Sequence, residues 1–180
     1  MVRGHDDAHV GADPVSGRVG PSFEDWYRRE YRSIVRSLVL ITGNADVAVE
    51  SASEACARAL ENWDRVSMMT SPSGWTYTVG LNVARRALRR AKLEALLWRR
   101  PAVAPPLSEP APELWAAVRR LPRQQRVAVV LHYVADMAQK DVASVMGVAE
   151  GTVAATLHAA RKRLVDAVGQ TVETKETGSE

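Results

Sequence analysis

The sequence contains one cysteine, Cys56, in 180 residues, so an intramolecular disulfide and a cysteine-based zinc site are both excluded. A reducing compartment fits that usage. Phenylalanine occurs only at Phe23, and runs that alternate β-branched with polar residues are scarce, a balance that favours helices over sheets. No uninterrupted apolar run reaches the ~18 residues needed to span a bilayer. The opening residues, acidic and glycine-containing, lack a signal-peptide pattern, so the expected location is the cytoplasm. A glycine-rich phosphate loop is also missing. The histidines do not converge: His5 and His9 sit near the start, whereas His132 and His158 fall in different helical segments. With no nucleophile, base or ligand set brought together, the sequence calls for no metal or cofactor, and an enzyme is not expected.

What is present is charge, and its position matters more than the formal total of +3. From Arg85 to Arg100 seven basic residues face the single acid Glu94. Such a block beside an apolar helix is a solvated face, a membrane-surface helix or an electrostatic footprint for nucleic acid, and alone it does not distinguish them.

The periodicity sets out an all-α chain of two small helical domains. Residues 1–21 hold several glycines, Pro14 and Pro21 without hydrophobic spacing, and are expected to be a disordered arm. A first domain is expected over 22–97. Ser22 is its first N-cap, and Phe23, Trp26, Tyr27, Tyr31, Ile34, Leu38 and Ile41 follow at steps of three and four until Thr42-Gly43-Asn44. A second helix is expected from about Asp46 to Trp63, with Val47, Ala55, Ala59, Leu60 and Trp63 inward. Ser71-Pro72-Ser73-Gly74 opens a third, with Trp75, Val79, Val83, Ala87 and Leu88 as its packing side. Residues 98–112 carry five of the nine prolines and form the expected linker, which at ~3.1 Å per residue spans on the order of 45 Å. A second domain is expected over 113–168, and a polar, disordered tail over 169–180.

The most specific signal lies between Gln139 and Ala160, where two helical patterns flank the break Gly147-Val148-Ala149. Ala143 is small enough for close helix approach, Gly147 suits a positive φ, and Val153 enters the space between the helices. Val142, Val145, Met146, Val148 and Leu157 complete a core. An ordinary αα-hairpin has the same outline. The joint spacing of alanine, glycine and valine, followed by Arg161, Lys162 and Arg163, favours a DNA-binding helix-turn-helix.

Taken together, the two domains resemble the bacterial extracytoplasmic-function (ECF) sigma factors, the minimal two-domain members of the sigma-seventy family of RNA polymerase subunits. The resemblance runs from about Ser22 to Val168. Leu121-Pro122-Arg123-Gln124-Gln125-Arg126, Leu131-His132-Tyr133, Asp141-Val142-Ala143, Glu150-Gly151-Thr152-Val153, Leu157-His158 and Arg161-Lys162-Arg163-Leu164 are similar to region four in order and spacing. Phe23-Glu24 and Tyr31 are similar to the opening helix, Glu50, Glu54-Ala55 and Arg58-Ala59-Leu60 to the polymerase-clamp segment, and Trp75, Tyr77, Asn82, Ala84 and Leu88-Arg89-Arg90 to the promoter-melting region.

The resemblance implies a non-catalytic subunit whose first domain grips core RNA polymerase through Glu50, Glu54 and Arg58 and melts the minus-ten element, while the second reads the minus-thirty-five element. Asn82 is a candidate for an unstacked base, or is simply solvated. Trp75 and Tyr77 offer stacking surfaces for single-stranded DNA, although Trp75 at helical spacing also suits a core. Arg85, Arg86, Arg89 and Arg90 suit phosphates. In the second domain Thr152, His158, Arg161 and Lys162 are the polar or phosphate contacts, with Ala155 and Thr156 against thymine methyls. Val49, Ser53, Cys56 and the run Ala154-Ala155-Thr156 depart from the family pattern; at 154–156 lysine, serine and arginine are usual, so weaker minus-thirty-five binding is expected. An anti-sigma protein is the further implied partner. Two alternatives remain: a helix-turn-helix regulator that acts without polymerase, and a sigma-like interaction protein without promoter activity.

Overall fold

Ser22 starts the first helix as the periodicity predicts: its Oγ accepts the Asp25 N–H at 3.2 Å, and α1 runs over Phe23–Thr42. Gly43, at φ 70°, ends it by donating its N–H to the Val39 carbonyl. The computed structural model describes residues 22–98 and 112–177, which contain helices and no strand. The expected arm over 1–21 and the linker residues 99–111 lie outside the described residues.

Helix α2 (Ala45–Glu61) is capped by the Asn44 side chain, which accepts the Val47 N–H at 3.0 Å. It stops at Glu61 instead of continuing to Trp63. The Asn62 amide donates to the Arg58 carbonyl at 2.8 Å, and the short α3 (Trp63–Val66) follows. That break brings the Trp63 ring against Phe23 and Trp26, with centroids 5.4 and 5.2 Å apart, and buries Val66 completely. The inward side of α2 is Ala48, Ser51, Ala52, Ala55, Cys56 and Ala59. Leu60, expected inside, is exposed.

Ser71 and Pro72 open α4 (Pro72–Trp98), Ser71 Oγ accepting the Gly74 N–H at 3.0 Å and proline occupying the first helical position. Its packing side is rotated from the expected one. Tyr77, Gly80, Leu81 and Ala84 are buried, whereas Val79, Val83 and Ala87 are half-buried. A series at constant steps of four drifts around a 3.6-residue helix, while 77, 80, 81 and 84 stay on one face. Gly80 matters through what it lacks: a Cβ there would lie 3.2 Å from Leu38 Cδ1 and 3.6 Å from Ala55 Cβ. The bare backbone and the alanines of α2 let the two helices approach closely.

In the second half, α5 (Pro112–Arg120) and α6 (Arg123–Val129) lead into a π-helical segment, Val130–Val134. The wider turn brings His132 Nδ1 within 2.8 Å of the Met137 carbonyl oxygen. Helices α7 (Gln139–Met146) and α8 (Glu150–Thr177) follow. Gly147 takes φ 68°, and Val148 donates its N–H to the Ala143 carbonyl at 3.1 Å, a Schellman-type ending. Helix α8 extends beyond the expected boundary near 168 and carries residues 169–177 of the supposed tail. Gly169 costs a helix only about 1 kcal/mol, and the glutamate and lysine after it are good helix formers.

The two halves share one core. Helix α7 lies on α4, while α5, α6 and the π segment lie on α1. Five consecutive residues of α1, Ser37 to Ile41, are therefore buried, so this stretch is enclosed on all sides. Arg36 stacks over the Trp115 ring at 5.7 Å, and a Cβ at Gly74 would lie 3.5 Å from Met137 Cε. Full burial of Ile34, Leu38, Leu40 and Leu131 contributes about 1.5–3 kcal/mol each.

Candidate nucleic-acid interface

Helix α4 presents a basic ridge. Asn82, Arg86, Arg89 and Arg90 are exposed along it, and Arg85 is half-buried. Positions 82, 86 and 89 fall on one face, so three functional groups point the same way. Arg85 Nη1 donates to the Asn82 amide oxygen at 3.3 Å, which orients the amide and leaves its NH₂ free to donate. Burial, with Arg123 and Arg89 as like-charged neighbours, lowers the Arg85 pKa.

The two aromatic candidates differ. Trp75 is half-buried and helps to line a cleft of about 260 Å³ with Met69, Thr78, Asp141 and Val145, between the start of α4 and α7. Tyr77 is a correction: only 1% exposed, it belongs to the core and offers no face for a base. Its hydroxyl shares hydrogen bonds with Ser33 Oγ at 3.4 Å and Ser37 Oγ at 3.3 Å. Burial raises its pKa, and the two serine contacts only partly oppose that.

Glu50, Glu54 and Arg58, assigned from sequence to polymerase, form one wall of a groove of about 500 Å³. Arg86 and Arg90 form the other, so residues assigned to two different partners face a common space. Within it Glu54 accepts from Arg58 at 2.7 and 2.8 Å, an exposed pair four residues apart worth ~0.3–0.5 kcal/mol.

The helix-turn-helix has the expected geometry. A bend of 101° separates α7 from α8, and Ala143 and Val153 are buried where they meet. Val153, Leu157 and Ala160 face inward, leaving Thr152, Ala154, Ala155, His158, Arg161 and Lys162 exposed on the outer side of α8. Thr156 is half-buried, and its hydroxyl donates to the Thr152 carbonyl at 2.7 Å. Its methyl remains the part suited to a thymine.

Sequence reasoning missed the approach of the two halves and, with it, Arg123 and Arg126. Arg126 Nη1 donates to the Arg119 carbonyl at 2.7 Å, and burial and Arg123 lower its pKa. A basic residue on α6 carries no local mark of a partner helix that lies far away in sequence.

Residues 26–94 match the family described as Sigma-70 region 2, and residues 112–164 match Sigma-70, region 4. The chain is 30% identical over 174 residues to the ECF RNA polymerase sigma factor SigM of Mycobacterium tuberculosis, covering 90% of this chain and 82% of that protein. It is 28% identical over 135 residues to the ECF RNA polymerase sigma factor EcfG of Rhodopseudomonas palustris, covering 70% of this chain and 74% of the other. Its fold is similar to the sigma factor RpoE of Bartonella quintana, solved in complex with the anti-sigma factor NepR, at a TM-score of 0.72 and 19% identity over 82% of this chain and 96% of that one. CnrH, solved in complex with the cytosolic domain of CnrY, is similar at a TM-score of 0.58 and 17% identity, covering 82% and 88%. The two matched regions, in order, and the shared length with SigM show that this chain belongs to the ECF sigma factors of the sigma-70 family.

Proposed function

We propose that this chain is the promoter-specificity subunit of a bacterial RNA polymerase: it binds core polymerase, recognises and melts promoter DNA, and performs no chemistry itself. The observation that supports the reading is a pair of separate, exposed polar surfaces on one chain, the α4 ridge and the outer side of α8. A repressor-type helix-turn-helix needs only the second. Residues 22–97 act at the minus-ten element and residues 113–168 at the minus-thirty-five element, with 98–112 as the linker.

On α4, Arg85, Arg86, Arg89 and Arg90 hold phosphates, and Asn82 donates to an unstacked base. Trp75 is the remaining aromatic suited to stacking, at ~1–3 kcal/mol per base. Glu50, Glu54 and Arg58 meet the polymerase clamp. On α8, Thr152, His158, Arg161 and Lys162 supply polar contacts and Ala155 and Thr156 the apolar ones. The missing cations at 154–156 make minus-thirty-five binding weak and shallow in its salt dependence. Similarity to a sigma factor solved with its anti-sigma factor supports an anti-sigma partner. Action in the cytoplasm follows from the promoter reading; among the described residues no single helix is long and apolar enough to cross a membrane.

The test is reconstitution with bacterial core polymerase, selection of promoters from random DNA, and permanganate mapping of unpaired thymines. Unpairing around a selected minus-ten element is expected. Duplex sites bound equally with and without polymerase would overturn the assignment.

A further inference from the structure

The amide of Asn82 is not free to turn either way. A guanidinium has N–H donors and no acceptor, so the amide atom that Arg85 Nη1 meets at 3.3 Å is the oxygen, and the NH₂ points to the other side. Residues three apart on a helix are surface neighbours, which puts the pair within reach without distortion. Arg85 is itself held. It is half-buried and its Nε is closed off from solvent, so the inner end of the guanidinium is packed while Nη1 extends to the exposed Asn82. A packed arginine that grips the oxygen of an exposed asparagine fixes which half of the amide faces outward.

That orientation decides which bases fit. A free asparagine reads adenine with both halves of its amide, the NH₂ donating to N7 and the oxygen accepting from the N6 amino group. With the oxygen held by Arg85, an adenine amino group approaching it meets guanidinium hydrogens of the same sign, and one of the two bonds is lost. The NH₂ that remains only donates. Its match is an edge where acceptors stand together, such as O6 with N7 of guanine or O2 with N3 of cytosine. Thymine also offers carbonyl oxygens, whereas adenine has none.

We propose that Arg85 is a positioning residue for base selection: by holding the Asn82 oxygen it makes the α4 ridge favour a carbonyl-bearing base and reject adenine at the unstacked position that Asn82 meets. The proposal rests on the promoter reading above. It gives Arg85 a task distinct from phosphate binding, because a phosphate contact carries no sequence information and this one does.

Promoters are selected from random DNA with reconstituted polymerase carrying the parent chain, N82A, R85M or R85K. The position whose preference vanishes in N82A is the one that Asn82 meets. There the parent is expected to deplete adenine relative to the three carbonyl-bearing bases. R85M keeps a long stem and has no donor; it should raise adenine at that position about fivefold, the size of one ordinary hydrogen bond, and leave preferences elsewhere as they were. R85K retains a donor and should hold the parent's preference. Loss of a phosphate contact alone would weaken all sequences alike. The proposal is overturned if N82A alters no position, if the parent favours adenine there, or if R85M weakens every promoter equally without shifting the base. The first two outcomes are read without any change at Arg85. A parent that melts no selected promoter overturns the sigma reading itself, and that failure shows before any variant is compared.

Discussion

Replacing Tyr77 separates a core role from a DNA role. The side chain is 1% exposed, so Tyr77→Ala removes a whole buried ring from between α1 and α4. Truncating a buried aromatic costs about 3–5 kcal/mol, a large part of a typical 5–15 kcal/mol total. With a urea dependence of about 2 kcal/mol per molar, the unfolding midpoint falls by roughly 2 M. Tyr77→Phe keeps the ring and removes only the hydroxyl, leaving Ser37 Oγ, itself fully buried, without that contact. Because a helical serine turns back to a carbonyl of its own helix, the cost is about 1 kcal/mol. Urea unfolding followed by tryptophan fluorescence reads both values, and permanganate footprinting of the reconstituted polymerase reads melting. Melting by Tyr77→Phe is expected to equal the parent's. The reasoning is refuted if Tyr77→Ala unfolds at the parent's midpoint and yet fails to melt DNA.

Gly147→Ala introduces a Cβ that meets nothing within 4 Å, so its cost is backbone strain alone at φ 68°. The expected loss is about 1 kcal/mol, read by thermal unfolding, and a larger loss would point to a contact the geometry does not contain. Ala155→Lys adds a cation to the exposed side of α8; binding to a minus-thirty-five duplex should tighten, and log affinity against log salt should steepen by about 0.9. An unchanged slope would remove Ala155 from the interface. Burial pushes the Cys56 thiol up to about 11 from an ordinary 9.0, so the fold favours the neutral form. That contribution is complete below pH 9 and lost as pH rises toward 11; the parent should therefore lose more stability over that window than Cys56→Ala, and parallel curves would contradict the burial argument.

Local signals in the sequence were read well and distant ones were not. Ser22, Gly43, Ser71-Pro72 and Gly147 mark helix ends through interactions within four residues of themselves, and each sits where expected. Ala143 and Val153 were legible because the helix-turn-helix is a local motif whose two helices pack on each other. The packing side of α4 was misread because Gly80 counts as nothing on a hydrophobicity scale, although its missing side chain decides how close α2 can come. Leu60 looked like core and is exposed because the inward face of α2 runs through Ala48, Ala52, Ala55 and Ala59. Of the site residues, the exposed set on α4 and α8 followed from helical spacing once the inward faces were known. The shared groove of Glu50, Glu54, Arg86 and Arg90 depends on tertiary approach, which spacing along one helix does not encode.

The enclosure of Ser37 to Ile41 between both halves has a quantitative consequence for any partner that needs the halves apart. Such a partner binds only the open fraction of chains, and its apparent dissociation constant is the intrinsic one divided by that fraction. Every ~1.4 kcal/mol of closure raises the concentration needed for half-occupancy tenfold. Substitutions in this stretch of α1, none of whose residues is proposed to face DNA, are therefore expected to change the dose at which a promoter responds while leaving its sequence preference untouched.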